Sequence, residues 1–244
     1  MTKSEIQLVR SLADKRSRSA TGLFVAEGEK LVGELRDSSL HVERIFALQG
    51  VFYGAEVEVV SPKEMERISL LKTPSSALAL VTMPTYELQP QRLTKALVLA
   101  LDNIQNPGNM GTIIRLADWF GITDVVCSRD TADCFNPKVV QATMGAILRV
   151  RVHYVDLEAF LAESAAQKIP IYGTFLEGEN IFHTTLSTAG VIVMGNEGQG
   201  VSHNVERLIT RKLFIPPYPA DRQGSESLNV AMATGIICAQ FRSR

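Results

Sequence analysis

The sequence predicts an α/β protein in two parts, a small mixed unit followed by a larger domain built on a parallel sheet. Apolar runs without alternation, such as ALVLALD, are typical of strands buried on both faces, and they alternate with segments of helical spacing. Around MPTYELQPQRL the apolar period disappears and Pro84 and Pro90 appear, as in a linker. We therefore predict one domain over residues 1–88 and a second over residues 89–244.

The first domain is predicted to alternate short helices and strands. Helical spacing is found in IQLVRSLADK and EKLVGELRDS, and the strand-like segments are GLFVAEG, RIFAL, VEVV and ALALVTM. The first 20 residues carry five basic and two acidic side chains, a local excess of three positive charges. This stretch suits a nucleic-acid phosphate backbone, although charge runs more often form a solvated face. The predicted phosphate contacts are Lys15, Arg16 and Arg18, with Arg222 in a later loop as a further candidate.

The second domain is predicted to begin with the strand ALVLALD and to continue as alternating helices and strands. In MGTIIRLADWFG the apolar residues fall at helical spacing, and Gly121 stands where a helix ends. Further strands are predicted in DVVC, VRVHYV, IPIYGTF, VIVMG and KLFIP, and a final helix from about Ser227 to Arg242. This alternation indicates a parallel sheet with helices on both faces.

Composition and charge exclude several classes of protein. A hydrophobic fraction of 45% favours a globular core. No segment approaches the roughly 18 apolar residues of a membrane span, so we expect a cytoplasmic protein. The three cysteines, Cys127, Cys134 and Cys238, lack the spacing of zinc ligands, so we expect neither a disulfide nor a metal. Because the formal net charge is −1, any nucleic-acid contact must be local.

Three polar loops follow predicted strands and are rich in glycine and small polar residues. They are DNIQNPGNMGT, GNEGQGVS and PPYPADRQGSESLN. In open α/β sheets, ligands bind where loops leave the carboxyl ends of the strands. Gly195, Gly198 and Gly200 are spaced GxxGxG, which matches neither the dinucleotide fingerprint nor the phosphate-binding loop, so nicotinamide or nucleoside triphosphate binding has weak support.

Several residues of these loops also have a purely structural interpretation. Asn109 is of a type that caps helices, and so is Ser227 before the final helix. Glu197 could be a solvated side chain. Arg115 could form an ion pair with Asp118 or Asp102. The residue pattern alone therefore indicates no more than a ligand-binding α/β domain.

Taken together and in order, the loops resemble the motifs of a known family. The segments LDNIQNPGNMGTIIRLADWFG, VIVMGNEGQGVS and SLNVAMATGI resemble the three motifs of the SpoU/TrmH family of RNA ribose 2′-O-methyltransferases, in the SPOUT superfamily. FNPKVVQATMGAILRVRV resembles the segment after that family's second strand, and KRSRSATGLFVAEGEKLVGEL resembles its small α/β RNA-binding domain, which is similar to some ribosomal proteins. The resemblance implies a C-terminal SPOUT domain with a deep trefoil knot, S-adenosylmethionine as cofactor, ribosomal or transfer RNA as substrate, and a homodimer.

The resemblance also implies the site residues. The catalytic set comprises Asn109, Arg115, Glu197, Ser227 and Asn229. The cofactor is expected to lie against Met194, Gly195, Gly200, Ile215, Leu228 and Asn229. The third loop departs from the family's pattern because it is longer, and Ala231 stands where serine is common.

Within this set we predict that Arg115 stabilises the developing oxyanion, since a guanidinium keeps its proton in a protein. Glu197 or an RNA phosphate would take the proton, and the amides of Asn109 and Asn229 would orient Arg115 or the ribose, while Ser227 donates a hydrogen bond. Two alternatives stay open: a catalytically silent RNA-binding protein with the same fold, and an enzyme of the superfamily that modifies a base or a substrate other than RNA.

Overall fold

The computed structural model describes residues 1–89, 94–219 and 227–243. Arg222 lies outside the described residues. The chain divides into two compact units, the first formed by Met1–Thr85 and Asp133–Leu148 and the second by Tyr86–Ala132 and Arg149–Arg244. The domain boundary between residues 88 and 89 stays a proposal, and the sequence pattern gave no sign that residues 133–148 group with the first unit.

The helices and strands of the described residues follow one another along the chain as in the predicted alternation. The helices are α1 (Lys3–Ser11), α2 (Lys15–Thr21), α3 (Glu29–Arg36), α4 (Pro62–Ile68), α5 (Pro107–Trp119), α6 (Pro137–Thr143), α7 (Leu157–Ala166), α8 (His203–Glu206) and α9 (Val230–Arg242). The strands are β1 (Leu23–Glu27), β2 (Val42–Ala47), β3 (Val57–Val59), β4 (Ala77–Thr82), β5 (Leu97–Leu101), β6 (Asp124–Ser128), β7 (Arg151–Val155), β8 (Ile171–Phe175), β9 (Glu179–Asn180), β10 (Gly190–Met194) and β11 (Arg211–Phe214).

The first unit is built on a four-stranded sheet in the order β1-β4-β2-β3. β4 is antiparallel to both β1 and β2, whereas β2 and β3 are parallel. The apolar stripes of α1 and α4 supply Val9 and Met65 to a core that also contains Phe46 and Leu78. Each of the four predicted strands is present, so the alternating pattern of the first domain is confirmed.

Side-chain caps fix where the helices of the first unit begin. Thr2 and Glu5 form a capping box at α1, and Ser61 and Glu64 form a second one at α4. Asp14 caps α2 by accepting from the backbone N–H groups of its first turn. Such caps pair backbone donors that a helix leaves unsatisfied at its N-terminus.

Arg18 is buried inside the first unit, with 1% of its surface exposed. Its guanidinium lies 2.6 Å from a carboxylate oxygen of Asp133 and donates to the carbonyl oxygens of Leu12 at 2.8 Å and Ala13 at 2.9 Å. The prediction that Arg18 contacts RNA phosphate is therefore wrong, because these groups occupy the guanidinium and solvent does not reach it. Lys15 and Arg16 are exposed and remain available.

We expect Arg18→Ala to lower the free energy of unfolding by about 3–5 kcal/mol, because it leaves the Asp133 carboxylate without its partner. Arg16→Ala, the control two residues away on the exposed side of α2, should change it by less than about 0.5 kcal/mol. Urea unfolding followed by circular dichroism measures both values. Equal effects of the two substitutions would contradict the structural role of Arg18.

The second unit is built on a seven-stranded sheet in the order β7-β6-β5-β10-β8-β11-β9. Every pairing in it is parallel, which confirms the predicted parallel sheet. Val98, Val126 and Ile171 are among the strand side chains of its core, against which Leu161 of α7 packs. All strands predicted for the second domain are present, and the short strand β9 was not predicted.

The ends of the helices in the second unit agree with the predictions in one case and differ in another. Helix α5 ends at Trp119, and Gly121 follows with a φ of +64°, as the predicted stop requires. The final helix begins at Val230, three residues later than the predicted start at Ser227.

In the parts of the chain that the structure describes, no helix combines the length and apolar character of a membrane span, and no three candidate ligands are grouped around a metal position. The trefoil knot stays a prediction.

Candidate active site

The three polar loops leave the same edge of the seven-stranded sheet. The first follows β5 and the second follows β10, two adjacent parallel strands. The third follows β11, which is parallel to β8, the other neighbour of β10. Since the carboxyl ends of parallel strands meet at one edge, the loops converge where ligands bind in open α/β sheets.

Asn106 is the cap of helix α5. Its side-chain oxygen accepts from the backbone N–H groups of Gly108 at 2.8 Å and Asn109 at 3.2 Å, and Pro107 occupies the first helical position. The structural interpretation of Asn109 as the cap is therefore wrong. With the cap supplied by Asn106, the side chain of Asn109 is available for other contacts.

Asn109 joins the second and third loops through both ends of its amide. Its Nδ2 donates to Oε1 of Glu197 at 2.5 Å, and its Oδ1 accepts from Nδ2 of Asn229 at 3.0 Å. Three predicted catalytic residues from three separate loops thus form one hydrogen-bonded chain. The carboxylate at one end accepts only, so it fixes the orientation of the Asn109 amide.

Asn229 also caps the final helix. Its Oδ1 accepts from the backbone N–H groups of Ala231 at 3.0 Å and Met232 at 3.3 Å. Because Asn229 supplies this cap, the structural interpretation of Ser227 as the cap is wrong. Ser227 is exposed, and the described residues give it no hydrogen-bond partner. The structure brings Asn109, Glu197 and Asn229 together but does not bring Ser227 into their chain.

Asn196 organises the second loop, and sequence reasoning missed it. Its Oδ1 accepts from the N–H groups of Gly198 at 2.9 Å and Gln199 at 3.1 Å, and its backbone forms two 2.9 Å hydrogen bonds with Gly200. Its Nδ2 donates to the carbonyl oxygen of Asn103 in the first loop at 2.8 Å. Asparagine before glycine-rich residues commonly makes such a turn, and that signal was present in the sequence.

Asp102 ties the far end of the second loop to the first. It is 6% exposed, and its carboxylate accepts from the backbone N–H of Ser202 at 2.7 Å, while its own N–H donates to the Met194 carbonyl at 2.9 Å. Together with the Asn196 contact, this anchors the second loop at both ends. The loop that carries Glu197 is therefore positioned by residues outside the predicted site.

Arg115 is exposed on α5, and neither nearby aspartate pairs with it. Asp102 accepts from Ser202, and Asp118 accepts from Arg149, whose Nη2 lies 2.9 Å from Oδ2 of Asp118. Within the described ranges, Arg115 has no recorded hydrogen bond or ion pair. The ion-pair interpretation is therefore wrong, and the guanidinium can offer its donors to a ligand.

Three of the six predicted cofactor residues have backbone groups without a hydrogen bond in the part of the chain that the structure describes. Met194 is buried at the end of β10 and Leu228 is 53% exposed. Among the residues that the structure describes, the backbone N–H and C=O groups of Gly195, Ile215 and Leu228 have no recorded hydrogen bond. Backbone N–H and C=O groups without a partner in the protein form hydrogen bonds with a bound ligand or with water. Gly200, with a φ of +71°, closes the turn of the second loop.

Gly195 admits no side chain. A Cβ at this position would lie 2.4 Å from the backbone carbon of Gly200 and 2.4 Å from the backbone nitrogen of Val201. The backbone of the loop therefore returns against Gly195 at a distance that only glycine allows. Gly198 differs, since its Cβ would meet the Asn196 side chain at an ordinary 3.6 Å.

Two family models match the chain. The model of the SpoU rRNA Methylase family matches residues 96–239, and the MRM3-like substrate binding domain matches residues 3–79. Among curated proteins, the 23S rRNA (guanosine(2553)-2′-O)-methyltransferase RlmP of Bacillus subtilis is 31% identical over 240 residues, covering 96% of this chain and 94% of that protein.

Solved structures show the same similarity over the full length. A TrmH-family protein from Porphyromonas gingivalis has a TM-score of 0.89 at 36% identity, covering 100% of this chain and 98% of that one. An rRNA methyltransferase from Sinorhizobium meliloti, crystallised with bound AdoMet, has a TM-score of 0.87 at 28% identity, covering 100% and 95%.

Proposed function

The chain belongs to the SpoU rRNA Methylase family, and we propose that it is an S-adenosylmethionine-dependent methyltransferase acting on a ribose 2′-hydroxyl of ribosomal RNA. The observation that carries this proposal is the hydrogen-bonded chain from Glu197 through Asn109 to Asn229, which unites the three motifs at one edge of the sheet. The relatives support ribosomal RNA as the substrate, since RlmP is named for a 2′-O-methylated guanosine of 23S rRNA.

The backbone at the ends of the strands suits S-adenosylmethionine. The N–H and C=O groups of Gly195, Ile215 and Leu228, which have no hydrogen bond among the described residues, can recognise the edge of an adenine, and the Leu228 side chain offers an apolar wall. When bound, the cofactor supplies a methyl group on a sulfonium. The task of the protein is to hold that group and the attacking oxygen close and in line.

Arg115 is proposed to bind the ribose oxygen and an adjacent phosphate. Its guanidinium is exposed and has no partner in the described part of the chain, so it can place fixed positive charge where negative charge develops. Glu197, held by Asn109, is the proposed proton acceptor because its second carboxylate oxygen has no recorded partner there. Ser227 is proposed to donate a hydrogen bond, and Lys15 and Arg16 to contact RNA phosphates.

The active form is proposed to be a cytoplasmic homodimer. Three apolar side chains of the second unit are exposed on or beside α5 and α9: Trp119 by 83%, Met232 by 63% and Leu228 by 53%. A second copy of the chain is the proposed occupant of this apolar face. Arg115 lies one turn before Trp119 on the same side of α5. In the proposed dimer its guanidinium would therefore lie next to the second copy.

We expect Trp119→Glu to convert the dimer into monomers, because it places a charge within the proposed apolar contact. Sedimentation velocity of the wild type and the variant measures the change. Phe182→Glu, at an aromatic side chain that is 48% exposed elsewhere in the second unit, is the control and should stay dimeric. A monomeric wild type, or a Trp119 variant that still dimerises, would contradict the proposed interface.

The activity is tested on ribosomal RNA from cells that lack this protein. The purified protein is incubated with that RNA and methyl-labelled S-adenosylmethionine, and the product is digested to nucleosides for mass analysis. We expect a single 2′-O-methylated nucleoside. A methylated base would indicate the base-modifying alternative, and no product together with no cofactor binding by titration would indicate the silent RNA-binding protein.

Asn109→Asp is expected to reduce kcat/KM for RNA methylation about 10- to 100-fold, the effect of losing a hydrogen bond to a charged group. The substitution keeps the shape but turns a carboxylate oxygen toward Glu197. The matched control is Asn204→Asp, because Asn204 also donates to a glutamate, Glu158 at 3.0 Å, and lies in α8, outside the hydrogen-bonded chain of Asn109, Glu197 and Asn229. A rate unchanged in Asn109→Asp would remove this hydrogen bond from the mechanism.

A further inference from the structure

Helices α1 and α4 of the first unit lie side by side and run in the same direction. At their beginnings, the N-terminal amine of Met1 lies 2.8 Å from Oε1 of Glu64. At their ends, Nη1 of Arg10 donates to the backbone carbonyl of Arg67 at 3.2 Å. Their apolar faces join one core, so the opposite faces of both helices point to solvent together.

The solvent side of this helix pair carries four basic side chains, which we call the α1–α4 basic face. They are Lys3, Arg10, Lys63 and Arg67, all exposed. None of the four has an ion pair with a carboxylate within residues 1–89, 94–219 and 227–243. The face contains no exposed large apolar side chain in either helix, so it does not suit an apolar partner.

Two of the three carboxylates of α1 and α4 are engaged elsewhere. Glu5 accepts from the backbone and hydroxyl of Thr2 and from Arg44, and these hydrogen bonds lower its pKa to about 2. Glu64 binds the Met1 amine and the cap residue Ser61, which lowers its pKa to about 2 as well. Glu66 is the remaining carboxylate of α4. The four basic side chains therefore outnumber the one remaining carboxylate, so the face carries an excess of positive charge.

We propose that the α1–α4 basic face binds the phosphate backbone of the RNA substrate. This inference rests on the proposed function and extends the predicted contacts of Lys15 and Arg16 onto two further helices. Lys3 and Arg10 are separated by about 10 Å along α1, a span that covers roughly three phosphates of one strand. The negative charges of the phosphates would balance the excess positive charge of the face. Contacts of this kind do not depend on the RNA sequence.

The test reverses two charges of the face and compares them with two reversed elsewhere. The variant is R10E/R67E, and the control is K30E/K168E, which makes the same change in net charge at two exposed lysines outside the face. Binding to the RNA used for methylation is measured in low salt and as a function of salt concentration. R10Q/R67Q serves as the milder second variant, and thermal unfolding verifies that each protein is folded.

For R10E/R67E we expect RNA affinity to fall at least about 10-fold, and the slope of log affinity against log salt to flatten by about 1.5 to 2. The KM for RNA should rise while kcat and S-adenosylmethionine affinity stay unchanged. The control should change affinity less than about threefold. Equal losses in variant and control, or no loss in either double variant, would overturn the proposal. Methylation by the wild type, measured alongside, tests the proposed function separately.

Discussion

Arg115→Lys is expected to lower kcat for RNA methylation by about 100- to 1000-fold, the range found when a donor to a developing oxyanion is removed. Lysine keeps the positive charge but lacks the planar fork that can hold an oxygen and a phosphate at once. Because Arg115 has no partner in the described residues, the substitution breaks no recorded contact of the fold. Its effect should therefore fall on the reaction.

Three measurements decide whether this explanation holds. Single-turnover methylation gives the rate of the chemical step, calorimetric titration gives S-adenosylmethionine affinity, and thermal unfolding gives stability. Only the first should change. Arg129→Lys, at another exposed arginine of the second unit, is the matched control. If Arg115→Lys turned over at nearly the wild-type rate with unchanged cofactor affinity, the geometry of the guanidinium would be irrelevant and the proposed role would be wrong.

Gly195→Ala is expected to weaken S-adenosylmethionine binding about 100-fold, equivalent to the upper end of the 1–3 kcal/mol that overpacking costs. The added Cβ would lie 2.4 Å from the backbone of Gly200 and Val201, so the second loop must move. Backbone cannot rotate away as a flexible side chain does. Movement of the loop displaces both the proposed cofactor surface at Gly195 and the carboxylate of Glu197.

Gly198→Ala is the matched control in the same loop. Its Cβ would meet the Asn196 side chain at 3.6 Å, an ordinary contact, so cofactor binding should change less than about threefold. Titration of both variants with S-adenosylmethionine compares them directly. Equal binding by the Gly195 variant and the wild type would show that the tight approach within this loop is not needed for the site.

Among the described strands all but β9 were predictable from the order of residues, as were helices α1, α3, α5 and α9 and the three candidate residues that the structure brings together. Runs such as ALVLAL lack alternation, as strands covered on both faces do, and they alternate with segments of helical spacing, so the parallel sheet was predictable. Asn109, Glu197 and Asn229 were predictable from their motifs, and the structure brings them into contact. Local pattern was sufficient because periodicity and motif order are properties of the chain alone.

The roles of individual polar residues depended on the folded structure. Arg18 resembled its neighbours Lys15 and Arg16, yet its guanidinium is buried against Asp133, 115 positions away in the chain. Likewise, Asp102 became an anchor of the second loop through Ser202, 100 positions away. The free energy of a polar side chain depends on which donors, acceptors and solvent surround it after folding, and sequence neighbours do not determine that environment.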